Sequence, residues 1–172
     1  NGTNQQADLV VSNADATETY LDIVDETQLS PIKKKKVSSI EPSCSGFVLL
    51  LGTDKQYERI GHHNIFFSDD YEQEFHQIFQ EKVMPEDPTI YSANTSVSNP
   101  DHAHDGGSNL FVLVNAPYLS DNYDWNRQKE QYKNHVIAKL EKRGLSNLSD
   151  HIIYSKTITP RDFYDRYRSN KG

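Results

Sequence analysis

The run Cys44-Ser45-Gly46-Phe47-Val48-Leu49-Leu50-Leu51-Gly52 constrains the fold more than any other stretch of the chain. Successive side chains of a strand point to opposite faces. Here both sets are apolar: Phe47, Leu49 and Leu51 share one face, Val48 and Leu50 the other. A strand at the rim of a sheet, with one face in water, alternates instead. The run is therefore expected inside a sheet, flanked by other strands.

Several segments supply neighbours. His62-His63-Asn64-Ile65-Phe66-Phe67 reads as a second strand, Thr89 to Ala93 as a short one, Asn109 to Ala116 as another buried strand and His151 to Thr157 as the last. Ala7 to Ser12 also reads as a buried strand, behind an Asn1-Gly2 pair of the kind favoured in hairpin turns. A helix is expected from Ala16 to about Val24, with Asp15 and Glu18 spaced as a capping box. A second, from about Asp70 to Gln80, places Tyr71, Phe75, Ile78 and Phe79 on one face. The clearest runs from Asp124 to Arg143, with a stripe of Trp125, Tyr132, Val136 and Leu140 and Gly144 as its stop. A last helix starts at Thr159-Pro160. The expected fold class is α+β, a mostly antiparallel sheet with helices on one side.

Composition narrows the function. At 172 residues the chain suits one domain with a real core. A net charge of −7 argues against a basic phosphate-binding surface, so no nucleic-acid partner is expected. Cys44 is the only cysteine, which rules out an internal disulfide and fits a reducing, cytoplasmic compartment. No apolar run approaches the roughly 20 residues of a spanning helix. Residues 25–42 read as a linker or a short exposed helix carrying Lys33-Lys34-Lys35-Lys36. Four lysines could meet an anionic membrane surface, but a solvated helix face is the simpler reading, and peripheral membrane contact stays open.

Few motifs carry chemistry. Asp101-His102-Ala103-His104-Asp105 has metal-ligand residue types, but it sits in a Gly-rich loop with no third ligand placed by sequence, so no metal is expected. His62 and His63, adjacent on a strand, would point to opposite faces; one could line a cavity. Nothing near Cys44 supplies a base or an oxyanion hole, and a buried, inert thiol is expected. Neither a dinucleotide fingerprint nor a P-loop occurs. No residue is assigned a catalytic role.

Six blocks, in order, resemble a known family: Ala7 to Asp15, Ser43 to Gly52, His62 to Phe67, Pro85 to Tyr91, Asn109 to Tyr118, and Thr159-Pro160-x-Asp162-Phe163. They are similar to segments of FAD-dependent desaturases of the bacterial phytoene desaturase type, a family that includes carotenoid desaturases and diaponeurosporene oxygenases. The resemblance implies part of a two-domain flavoprotein of amine-oxidase-like architecture. Residues 1–24 would be the end of the FAD-domain segment, 25–42 a linker and 43–172 a portion of the substrate-binding domain. The Gly-rich half is missing, no initiator methionine is present, and the apolar run Ala7 to Ser12 lacks neighbours. A piece of a larger protein, inactive alone, is therefore expected, with FAD on the full-length parent and none on this chain.

In such a family the flavin takes the hydride, and the protein offers a long apolar channel to a polyene. The expected substrate-contacting residues are Phe47, Leu49, Leu51, His63 and Phe66. Whether the Phe47 face or the Val48–Leu50 face meets the channel stays open, as does an ordinary core role for all five strand residues. Desaturation, isomerisation and oxygenation are not told apart. The alternative is a stand-alone α+β binding module that pairs with a second copy through an open sheet edge.

Overall fold

The computed structural model describes residues 2–172, so the Asn1 half of the expected hairpin turn lies outside the described residues. Five strands form one sheet: β1 (Ser45–Thr53), β2 (His63–Phe66), β3 (Ile90–Asn94), β4 (Ser108–Ala116) and β5 (Ile152–Ile158). Their order is β2-β3-β4-β1-β5, and every pairing is antiparallel. The helices are α1 (Ala16–Glu18), α2 (Pro31–Ser38), α3 (Tyr71–His76), α4 (Trp125–Lys142), α5 (Leu148–His151) and α6 (Pro160–Tyr167). The α+β class expected from the sequence is what the chain adopts. β1 lies inside the sheet, as its two-sided apolar pattern requires, with β4 on one side and β5 on the other.

The core forms on one face. Phe47 pairs with Val114, Leu49 with Val112 and Leu51 with Leu110, and Ile90 sits across from Val114. All seven are buried. Helix α4 covers them through the stripe read from the sequence. The Phe47 ring stacks on Trp125 at 5.9 Å and meets the edge of Tyr132 at 5.3 Å, while Val136 and Leu140 are fully buried. The helix begins where the Asp124 carboxylate accepts the Asn126 and Arg127 N–H groups. It ends at Gly144, whose φ of +119° is open only to glycine without strain, and the Leu145 N–H closes back on the Leu140 carbonyl. Burial raises the Tyr132 phenol well above its ordinary pKa, and its hydroxyl donates to the Pro85 carbonyl at 3.0 Å.

Two buried polar side chains fix the β2–β3 connection. Glu74 accepts the Thr89 N–H at 2.8 Å, the Thr89 hydroxyl at 2.7 Å and the Ser68 hydroxyl at 2.8 Å. These bonds bury Glu74 beside Gln77, and of the expected stripe only Ile78 is fully buried. Tyr71, Phe75 and Phe79 instead form a partly covered ladder, with ring centroids 4.6 and 5.4 Å apart. From α4, the Lys139 ammonium donates to the Pro88 carbonyl at 2.8 Å and the Phe67 carbonyl at 3.3 Å, and pairs with Asp87. Burial works against the Asp87 carboxylate, but hydrogen bonds from Lys139 and the Asp69 N–H, with the nearby charges of Lys139 and Arg143, outweigh it. The group is held below its usual pKa.

Three expectations change. Residues 7–12 form no strand, and Leu9, Val10 and Val11 are 81%, 82% and 85% exposed. An apolar run becomes a strand only where a backbone partner satisfies its N–H and C=O groups, and no described strand pairs with it. The helix expected to Val24 is a short α1 followed by a wider π turn over Thr19–Ile23. Asp15 caps it, accepting the Thr17 N–H at 2.8 Å, but Glu18 turns to Arg168 at 3.4 Å rather than completing a capping box. Residues 25–42 contain a true helix, α2, where Lys33 lies over the Tyr20 ring and Lys34 pairs with Glu26.

Ser92 is fully buried on β3, and its hydroxyl has no hydrogen-bond partner among the described residues. Losing an unpaired hydroxyl removes a desolvation penalty. Ser92→Ala is therefore expected to be neutral or to stabilise the chain by up to about 1 kcal/mol, read from the urea midpoint at unchanged slope. A loss above about 1 kcal/mol would show that the hydroxyl is paired.

Candidate functional site

The opposite face of the sheet is only partly covered. Helix α6 crosses one corner of it: Phe163 lies 3.8 Å from where a Cβ on Gly46 would stand. That helix is held by a capping box in which Thr159 and Asp162 bond reciprocally, with Pro160 at its first position. Across the remainder, the strand registers align side chains in two rows. One row runs Ile65, Tyr91, Leu113, Val48, Ile158; the next runs His63, Ala93, Phe111, Leu50, Lys156. Neighbouring strands are about 4.8 Å apart, so each row spans roughly 19 Å.

Apart from His63 and Lys156 at the ends of the second row, both rows are apolar or aromatic. Ile65 is 56% exposed and Phe111 36% exposed, while Tyr91, Leu113 and Leu50 are half-buried. Two open clefts border this face. One, of about 600 Å³, includes Cys44, Gly46, Leu113 and Phe163; the other, of about 370 Å³, includes Leu50, His104, Asn109 and Tyr154.

The structure splits the residues expected from the sequence. Phe47, Leu49 and Leu51 lie on the α4 side in the packed core, and Phe66 packs partly buried against it. His63 stands on the open face, where its Nδ1 is 2.8 Å from the Tyr91 hydroxyl. This face therefore carries Val48, itself buried at 3% exposure, and half-buried Leu50, and not the Phe47 set. Tyr91, Phe111 and Leu113 were not singled out from sequence. Their segments read as strands, but only the register shows that they meet on one surface; the Tyr91 and Phe111 rings are 6.2 Å apart, edge to face.

His62 differs from expectation too. It precedes β2, so strict alternation does not reach it, and its ring lies 4.4 Å from that of His63. Cys44 is half-buried rather than buried. His102 closes a short 3₁₀ turn, and the backbone carbonyls of His102 and His104 accept from Asn109 and Gly107. Among the described residues no group of three or more His, Cys, Asp or Glu side chains is placed to hold a metal ion. No helix there is long and apolar enough to cross a membrane.

The sheet thus has one face packed by helix α4 and an opposite, largely apolar face that is only partly covered. No family model matches the chain. The 4,4'-diaponeurosporene oxygenase of Staphylococcus haemolyticus (strain JCSC1435) is 40% identical over 171 residues, 99% of this chain and 34% of that protein. The protein of the same name from Staphylococcus aureus (strain USA300) is 37% identical over 169 residues, 97% of this chain and 33% of its own length. The chain belongs to the carotenoid desaturase-type family of these oxygenases. It spans about a third of the length of the curated relatives it matches.

The described residues do not form a dinucleotide site. Such a site needs a parallel strand leading through a Gly-rich turn to a helix N-terminus, and every pairing in this sheet is antiparallel.

Proposed function

We propose that the open sheet face forms one wall of a channel that holds a long apolar polyene in a carotenoid-oxidising flavoenzyme. The observation that carries this reading is the pair of rows crossing all five strands, from Ile65 to Ile158 and from His63 to Lys156. The wall residues in this reading are Leu50, Ile65, Tyr91, Phe111 and Leu113; His63, expected from the sequence to touch substrate, stands beyond them at the rim of the wall. Phe47, Leu49, Leu51 and Phe66 support that wall from behind. FAD would be held by the part of the relatives' length that this chain does not span. Residues 1–24 would then belong to the flavin-binding domain and 43–172 to the substrate domain. The chain alone would bind polyene without turning it over, in the cytoplasm and with its channel mouth at a membrane surface.

The test uses the single tryptophan, Trp125, as an energy donor. Titration with a detergent-dispersed linear carotenoid is expected to quench it saturably. Phe111→Ser is expected to weaken binding about fivefold, since it strips an exposed ring from the wall, with little change in melting. Unsaturable quenching, or equal affinity in the variant, would refute the channel wall. A second reading rests on β5, a sheet edge whose Ile153 and Tyr154 are 58% and 57% exposed. Pairing of that edge with a second copy predicts a dimer in sedimentation that Ile153→Lys abolishes.

A further inference from the structure

At one end of the open face stand two imidazoles that the polyene wall does not need. Their placement is firm. Asn64 accepts the Gly61 N–H and donates to the Gly61 carbonyl, both at 2.8 Å, and also donates to the Ser92 carbonyl at 3.2 Å. The His62 carbonyl accepts the Asn94 N–H at 2.8 Å. The backbone carrying both rings is thereby stapled to β3.

Each ring is then oriented through one nitrogen. His62 Nδ1 lies 2.7 Å from the Ser98 hydroxyl and His63 Nδ1 lies 2.8 Å from the Tyr91 hydroxyl. Neither Nε2 has a hydrogen-bond partner among the described residues. A phenol is the natural donor to an imidazole nitrogen. Where Tyr91 donates to Nδ1, the proton of neutral His63 sits on Nε2, which becomes the free donor. A free donor at the end of an apolar row suits an oxygen at the end of an apolar ligand.

We propose that His62 and His63 form an end-group subsite that accepts a carbonyl or carboxylate oxygen on the terminus of a polyene lying along Tyr91 and Phe111. This rests on the polyene reading above and adds an orientation to it. A chain already oxidised at one end would be held in a fixed direction, with its other end presented at the far side of the sheet. A plain hydrocarbon would slide without preference.

The probes are a linear all-trans polyene hydrocarbon and the same polyene carrying one terminal aldehyde, both titrated against the full chain by Trp125 quenching. The native chain is expected to bind the aldehyde about tenfold more tightly, the worth of about one hydrogen bond. His62→Phe with His63→Phe keeps two flat rings and is expected to bring the ratio within about twofold while hydrocarbon affinity holds. Tyr91→Phe, a milder change, is expected to lower the ratio by freeing the His63 ring. Equal native affinities for the two probes, or a ratio that survives both variants, would overturn the subsite and leave the wall standing. Binding of neither probe would overturn the wall and the subsite together.

Discussion

Phe47→Ala is expected to destabilise the chain by about 3–5 kcal/mol, whereas Phe111→Ala should cost less than about 1 kcal/mol. Both are phenylalanines on adjacent central strands, and the difference lies in what stands above them. Phe47 is fully buried, stacked on Trp125 and edge-on to Tyr132, with Val114 across the pairing. Deleting its ring opens a cavity that the rigid sheet beneath cannot collapse into. Phe111 faces the other way and is 36% exposed, so truncating it leaves a surface dent that water fills rather than a sealed cavity. Urea denaturation of the two variants side by side checks this. A large loss for Phe111→Ala would mean that its face is covered in solution, and the open wall would have to be abandoned.

The second large effect is expected at Lys139. Lys139→Met keeps the aliphatic stem but leaves the Phe67 and Pro88 carbonyls short of a donor and Asp87 without its closest cation. A loss of about 2–3 kcal/mol is expected. Its pH dependence has a definite sign. Asp87 is held below its unfolded pKa, so its pairing stabilises fully above about pH 4 and fades as pH falls through the lowered folded value. The gap between native chain and variant should therefore narrow on acidification below about pH 4. A gap that stays constant from pH 7 to pH 3 would place the loss in the two carbonyls alone.

Much of the architecture was legible because it rests on local chemistry. The β1 run demanded an interior position and has one. Asp124, Gly144, Thr159 and Pro160 mark helix ends by capping geometry that sequence carries directly. The site was less legible, because it depends on register. Alternation separates Phe47, Leu49 and Leu51 from Val48 and Leu50, but it cannot say which set faces a helix that arrives far downstream. Tyr91 and Phe111 become neighbours only through the β3–β4 pairing. Ala7 to Ser12 shows the opposite failure: a pattern apolar enough for a strand, with no partner among the described residues to make it one. Glu74 shows a third, since a carboxylate three hydrogen bonds deep took the buried position that hydrophobicity would give to Phe75.

The strand order carries a consequence for synthesis. β1 ends at Thr53, but one of its two partners begins only at Ile152, and Val48 must find Ile158 before its strand is enclosed. On a ribosome, the most apolar run of the chain waits on the order of 10 s for that partner. During the wait its backbone is unpaired on at least one side and its Phe-Val-Leu-Leu-Leu sequence is open to other chains. Yield during expression should therefore be governed by how fast β5 arrives and how well β1 is shielded until then, by chaperones or low temperature, more than by the stability of the finished sheet.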